Sequence, residues 1–441
     1  MARERLPRFC ALMRLRLASS APLVQRGAAA ALATTAFAAA GGAAPLLPDV
    51  RLGDVTSARA STSLRATQRA PIPPAAPRNY RLPRTRVFVR TSQGLVNALA
   101  RAAPANIVLA DGDFTTVGTT SPTPYFQAGA GHRLYARNRG RAVLRAGLEF
   151  GGNYGPGGGE VHGLVFDIAE DAKTSHSSAI TTWGVRGRNT KIYDTRFNGH
   201  GGVGSAILAW EPSGLIVTRV VIRRFRNFGI YASDNDESSR AVIGAITDVR
   251  VSGIKHSSPG SSNGTEEAGV LVGHRVARPV SRLWVRDTGW MGLETLNKTE
   301  DTTFTDLNID HIEGVDPASG KATGTGIYIE RFTKRSLFRR FLLGPDIKYG
   351  VISEWDEGIA GNQAGTDNTI ANGVIDTRKS GVPKRVGVFV DYGTLRMTIR
   401  RVVFRGASYA CIVDLGRSTV IQGNDYRRRV PGAATVAREH P

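Results

Sequence analysis

"GIYIER" (326–331) and "GVISEW" (350–355) start 24 residues apart and share one plan: a small residue, an aliphatic residue, then alternation ending in a glutamate. The plan recurs in "AITTWG" (179–184), "AILAWE" (206–211), "GIYASD" (229–234), "GVLVGH" (269–274), "GLETLN" (292–297), "GVFVDY" (387–392) and "ACIVDL" (410–415). The shortest interval between starts is 23 residues, and the longer ones exceed it by varying amounts. A fixed minimum with a variable excess is how stacked coils with loop insertions read. Further β-type segments follow each element, among them "NTKIYDTRFNG", "GLIVTRVVIRRFRN", "DTTFTDLNIDHI" and "RMTIRRVVFRG". Three short strands within so few residues leave no room for intervening helices, so the chain is expected to wind into a coil that stacks on itself.

Composition agrees with this reading. The 441 residues are 41% hydrophobic, enough for a continuous core, and the 51 glycines with abundant Val, Ile and Thr favour strands and turns over helices. The net charge of +21 would draw polyanions such as uronate polymers or teichoic acids. No compact Lys/Arg cluster interleaved with aromatics is present, so nucleic acid is not an expected partner. Arg3, Arg5, Arg8, Arg14, Arg16 and Arg26 precede the apolar run "GAAAALATTAFAAAGGAA", with small-residue cleavage sites at Ala36-Phe37-Ala38 and Ala38-Ala39-Ala40. That is the pattern of a secretory signal, and nothing downstream is long and apolar enough to span a bilayer. Cys10 and Cys411 are the two cysteines, so no intrachain disulfide outlasts cleavage. The expected organisation is a signal peptide over 1–44, a disordered Pro/Ala/Arg-rich spacer over 45–85, the coiled domain over 86–430 and a disordered tail over 431–441.

The repeated "G-I-x-[small/apolar]" strand followed by "x-[TS]-x-I-x-x-x-x-F/I" resembles the right-handed parallel β-helix of the pectin-lyase-like superfamily. The resemblance implies an all-β solenoid whose first coil needs a plug. "TSQGLVNALARAAPANIVLADGDF" (91–114) looks like the helix, strand and turn that cap chondroitinase-B-type and alginate-lyase-like members.

Each element can be numbered from its small residue. Position 2 (Ile180, Ile207, Ile230, Val270, Leu293, Ile327, Val351, Val388, Cys411) is uniformly apolar and should face the bore, which turns positions 3 and 5 outward. Position 5 then stacks Glu330, Glu354, Asp391 and Asp414 on four successive coils about 4.8 Å apart. Like charges at that spacing raise one another's proton affinity or demand a cation, which places an acid beside a base. Glu330, Glu354 and Asp391 are the expected catalytic residues. Trp183, Trp210, Tyr231, Glu294, Tyr328, Arg331, Trp355, Asp356, Tyr392 and Asp414 are the expected substrate-binding residues.

The expected function is a secreted protein that cleaves an extracellular polysaccharide by acid/base hydrolysis, with no cofactor required. Three alternatives stay open: β-elimination on a uronate polymer, which needs a base and a neutraliser and for which Lys298 and Arg331 are the nearest candidates, a non-catalytic adhesive solenoid, and a Ca²⁺ site built from Glu330, Glu354 and Asp356. "NGHGG" (198–202) lacks the companion motifs of polygalacturonases, so His200 reads as a turn residue. His274 reads as a surface histidine, and Cys411 as an inert core thiol.

Overall fold

The computed structural model describes residues 70–116, 125–129, 131–151, 158–169, 178–183, 187–210, 212–233, 240–254, 267–313, 324–330, 332–354, 365–378, 382 and 384–438. Among these, the strands form two parallel sheets, one of 20 strands and one of 13, in which each coil pairs with the next. The chain is a parallel β-helix.

Position 2 sets the register of the smaller sheet. Ile180, Ile207, Ile230, Val270, Leu293, Ile327, Val351 and Val388 pair in succession, and all are fully buried. Burying each such side chain is worth roughly 1.5–3 kcal/mol, and a one-residue slip would turn the whole set outward. The small residue at position 1 is a packing requirement. A Cβ on Gly292 would stand 2.2 Å from Ile309 of the opposite sheet, and one on Gly269 would stand 2.3 Å from Val285. Phenylalanines stack along the bore, Phe304 on Phe338 at 4.7 Å and Phe166 on Phe197 at 5.0 Å.

The last coil departs from the expected register. Ala410 pairs with Val386 and Ile412 with Val388, so Ile412, not Cys411, occupies the position-2 row. Cys411 is still buried, and burial pushes its thiol up to about 12, which leaves it inert.

Helix α1, Ser92–Leu99, plugs the first coil as expected. The Thr91 hydroxyl accepts the Gly94 N–H, and Leu95, Ala98 and Leu99 turn toward the bore. At the other end the strand Ala434–Ala437 pairs with Ala410–Asp414, so the described part of the expected tail adds a rung.

In the larger sheet each coil bends at a residue in the left-handed region. Successive coils place Asp194, Arg219, Asp248, Arg282, Asp306 and Arg340 at this bend, with φ between 52° and 60°. The segment expected to end a disordered spacer lies against this row from Ala70 onward. The Ile72, Ala75 and Arg78 N–H groups donate to Asp306, Asp248 and Asp194. Composition read this stretch as disordered because its partners belong to coils more than a hundred residues away. The earlier part of the spacer and the signal segment lie outside the described residues.

Candidate active site

The backbone places three of the four stacked acids in one row. Glu330 N–H donates to Thr295 O at 2.8 Å, Glu354 N–H to Ile329 O at 3.0 Å and Asp391 N–H to Ser353 O at 2.9 Å. These acids follow the ends of consecutive strands Thr325–Ile329, Tyr349–Ser353 and Val386–Val390, at one edge of the smaller sheet. A hydroxyl corner underlies the edge: Thr333 bonds to Thr295 at 3.2 Å, and Ser353 to Thr394 at 3.1 Å. Asn368 ties this corner together, donating to Thr333 O and accepting from Ser336 N–H.

Asp414 is not a fourth rung. Because the last coil is shifted, Asp414 pairs with Val390, and Leu415 takes the rung by donating to Val390 O at 2.9 Å. Asp414 is buried, accepts from the Thr419 hydroxyl at 2.7 Å and faces Arg438 at 3.3 Å. It is a structural ion pair.

The same edge carries aromatics toward the N-terminal coils. Trp183 N–H donates to Phe150 O and Trp210 N–H to Thr182 O, the same rung geometry as the acids. The two indoles stack with centroids 6.0 Å apart and planes 3° from parallel, and Trp183 is 44% exposed. Ser233 takes the next rung, donating its N–H to Ala209 O at 3.2 Å, and Tyr231 of the same coil sets its ring 5.3 Å from Trp210. From Trp210 to Glu330 is four coils, or about 19 Å. Tyr392 is exposed beside Asp391, and its N–H donates to the Asp391 carboxylate at 2.7 Å.

Of the three acids, Glu354 and Asp391 are partly exposed, but Glu330 is buried, contrary to its expected outward place; two expected binders are placed otherwise as well. Glu294 is fully buried, and Tyr328 is buried in a cluster with Ala268, Met291, Trp290 and Ile352. Alternation correctly turned them away from the bore, but that side of the sheet is covered at these coils, so outward does not mean solvent. His274 is likewise buried rather than on the surface. Arg331, Trp355 and Asp356 lie outside the described residues. Among the described residues no group of three or more His, Cys, Asp or Glu gathers as for a metal, and no helix is long and apolar enough to cross a membrane.

Sequence reasoning missed a second polar group, on the larger sheet. His200 Nε2 lies 2.6 Å from Asp167 Oδ1, Asn198 donates to the same oxygen at 2.7 Å, and Arg145 bonds the other. Burial works against ionisation of Asp167, but the bonds to His200 and Asn198 outweigh it and hold the carboxyl below its ordinary range. "NGHGG" was the available signal; its partner in "VFDI" sits one coil back.

The sequence matches no protein-family model. It matches no curated protein. Among solved structures it is similar to the catalytic domain of a GH87 alpha-1,3-glucanase in complex with nigerose, with TM-score 0.54 and 11% identity over 83% of this chain and 70% of that one. The shared fold is the parallel β-helix. A surface adhesin of Streptococcus pneumoniae aligns over 79% of this β-helix chain and 89% of its own, with TM-score 0.48 and 11% identity. A periplasmic alginate epimerase aligns over 80% and 84%, with TM-score 0.39 and 12% identity. At these identities the likeness is one of fold.

Proposed function

We propose that this β-helix is carbohydrate-active: it holds an extracellular polysaccharide along the edge that carries Trp183, Trp210, Glu330, Glu354 and Asp391, and cleaves it by acid/base hydrolysis. The observation that supports this reading is the row of three acids on consecutive coils, on the edge that also carries a stacked indole pair whose outer member, Trp183, is exposed. Neighbouring rungs stand about 4.8 Å apart, near the spacing of the two carboxyls in a retaining glycosidase, and alternate rungs about 9.6 Å, at the upper end of the inverting range. In the proposed reaction one carboxyl delivers a proton to the leaving oxygen while its neighbour attacks or activates water. Aromatic faces suit sugar rings, and the surplus of basic groups suits an acidic polymer. The similarity in fold to a glucanase adds support.

A panel of neutral and acidic polysaccharides incubated with the purified protein tests the reading. Hydrolysis yields new reducing ends without ultraviolet absorbance. Glu354→Gln is expected to lower turnover at least a hundredfold while sugar affinity stays within a few fold. Products with unsaturated ends, lost on adding a chelator, would replace hydrolysis by Ca²⁺-dependent elimination. Binding without any product would leave an adhesive solenoid.

A further inference from the structure

The bend row of the larger sheet alternates acid and base: Asp194, Arg219, Asp248, Arg282, Asp306, Arg340. Each arginine reaches back to the aspartate of the preceding coil. Arg219 Nε bonds Asp194 at 2.7 Å, Arg282 Nε bonds Asp248 at 2.6 Å, and Arg340 Nη2 bonds Asp306 at 2.6 Å. The three carboxylates are nearly fully buried, and each has one oxygen aimed at the extended segment 70–82. Asp194 Oδ1 accepts the Arg78 N–H at 2.6 Å, Asp248 Oδ1 the Ala75 N–H at 2.6 Å, and Asp306 Oδ1 the Ile72 N–H at 3.1 Å.

Two independent periods coincide here. Aspartates recur every second coil, about 9.6 Å apart at the strand spacing of a sheet. Polyproline II repeats every three residues, about 9.3 Å. The donors at 72, 75 and 78 follow that period, and Pro71, Pro73, Pro74 and Pro77, which have no N–H to leave unsatisfied, fill most of the positions around them. Carbonyls of the segment are read as well: Arg250 donates to Pro74 O at 2.9 Å and Arg139 to Pro77 O at 2.5 Å. At the N-terminal end the bend row has Gly163 (φ 67°), and the missing side chain leaves room for Tyr80. Its hydroxyl donates to Ala136 O at 2.6 Å and to His162 O at 3.0 Å.

We infer that the Asp194, Asp248 and Asp306 row is a polyproline II binding groove that reads one main-chain N–H in three, and that residues 70–82 are its built-in ligand, docked as a separable strap across the coils between Gly163 and Arg340. The arginines between the aspartates neutralise the row and set the two-coil spacing. Recognition goes through the main chain, so the ligand class is any Pro-rich extended segment with free N–H groups at i, i+3 and i+6 and a tyrosine two residues beyond the last of them.

The test uses the full chain. Ile72→Pro, Ala75→Pro and Arg78→Pro together suit the inferred polyproline II backbone, remove the three donors and leave the groove residues unchanged. Ala76→Pro is the control. Tryptic cleavage after Arg81, followed by mass spectrometry, should accelerate at least tenfold in the triple variant and less than twofold in the control. A fluorescein-labelled peptide of residues 70–82 should bind the triple variant, fail to bind the wild type because the tethered strap outcompetes it, and fail to bind the triple variant that also carries Asp248→Ala. Circular dichroism of the last variant checks that it is folded. Equal cleavage in the triple variant and the control would overturn the inference. So would absence of peptide binding to the triple variant, or binding that survives Asp248→Ala.

Discussion

The β-helix builds the same device twice and covers only one copy. At the bend of the larger sheet, Asp194, Asp248 and Asp306 alternate with Arg219, Arg282 and Arg340. At the corner after the smaller sheet, Asp301, Arg335, Asp367 and Arg396 alternate in the same way, again at positive φ and again with each arginine bonding back one coil. Local geometry is nearly identical, 2.7 Å for Asp301–Arg335 against 2.6 Å for Asp248–Arg282. Exposure is not: the covered aspartates are 2–6% exposed, and the open pair 39–46%. An alternating acid and base row is therefore what a solenoid uses to hold side chains in the left-handed region, a conformation that costs of order 1–3 kcal/mol per non-glycine residue. Covering it with a strap turns that local repair into a long-range tie.

The largest difference should appear when one aspartate is removed from each row. Asp248→Ala strands the Arg282 guanidinium and the Ala75 N–H together, and should cost about 3 kcal/mol, read as a lowered melting temperature, because breaking a buried, hydrogen-bonded ion pair leaves uncompensated groups behind. Asp301→Ala should cost under about 1 kcal/mol. Acid supplies a second readout. Burial disfavours the charged Asp248, yet the bonds from Arg282, the Ala75 N–H and Thr247 outweigh it and bring the carboxyl down to about 2. A carboxyl depressed on folding adds stability above its unfolded value near 3.9, and loses it as pH falls toward its folded value. The difference in melting temperature between wild type and Asp248→Asn should therefore hold steady from pH 7 to about 5 and shrink only below about 4. A difference already shrinking at pH 6 would mean that the charged carboxylate is not what holds the strap.

A middle-sized effect isolates the strap from the bend itself. Gly163 and Gly423 occupy the same bend row at opposite ends, with φ of 67° and 61°. A Cβ on Gly163 would stand 2.4 Å from the Tyr80 hydroxyl, whereas one on Gly423 meets nothing nearer than Arg401 at 3.9 Å. Both alanine variants carry the left-handed cost of about 1 kcal/mol. Only Gly163→Ala also dislodges Tyr80 and the two carbonyl bonds it makes, so it should be the more destabilised by about 1–2 kcal/mol. It should also speed tryptic cleavage after Arg81. Equal losses in the two variants would reduce Tyr80 to a bystander.

This contrast also explains what a sequence can reveal about such a fold. Position 2 was legible because its selection pressure is local and repeated: Ile180 through Val388 must each enter the bore, so the period survives every loop insertion. The acid row of Glu330, Glu354 and Asp391 followed from counting three residues further along the same frame. Asp414 was misplaced because Cys411 is apolar enough to pass as the inward residue, although Ile412 takes that place. Glu294 and Tyr328 were misjudged because alternation reports which way a side chain leaves a sheet and not what covers it. The strap was illegible for a different reason. Proline-rich, aperiodic "APIPPAAPRNY" has the composition of a disordered linker, and its pattern of donors acquires meaning only against the two-coil spacing of aspartates in "YDT", "TDV" and "TDL", segments whose alignment exists only after the chain has coiled.

The smallest expected effect tests whether openness alone separates the two rows. Arginine holds the Asp301 carboxyl below its ordinary range through a bidentate bond, with Arg335 also reaching Glu300 at 3.1 Å, so the pairing is well formed by geometry. Solvent still screens it. At 1 M salt the Debye length falls to about 3 Å, and the deficit of Asp301→Ala relative to wild type should vanish. Under the same salt the deficit of Asp248→Ala should persist, because water and ions do not reach between the Asp248 carboxylate and the Ala75 N–H. Were both deficits to fade together, burial beneath residues 70–82 would have no energetic consequence, and the strap would lie on the groove without being held by it.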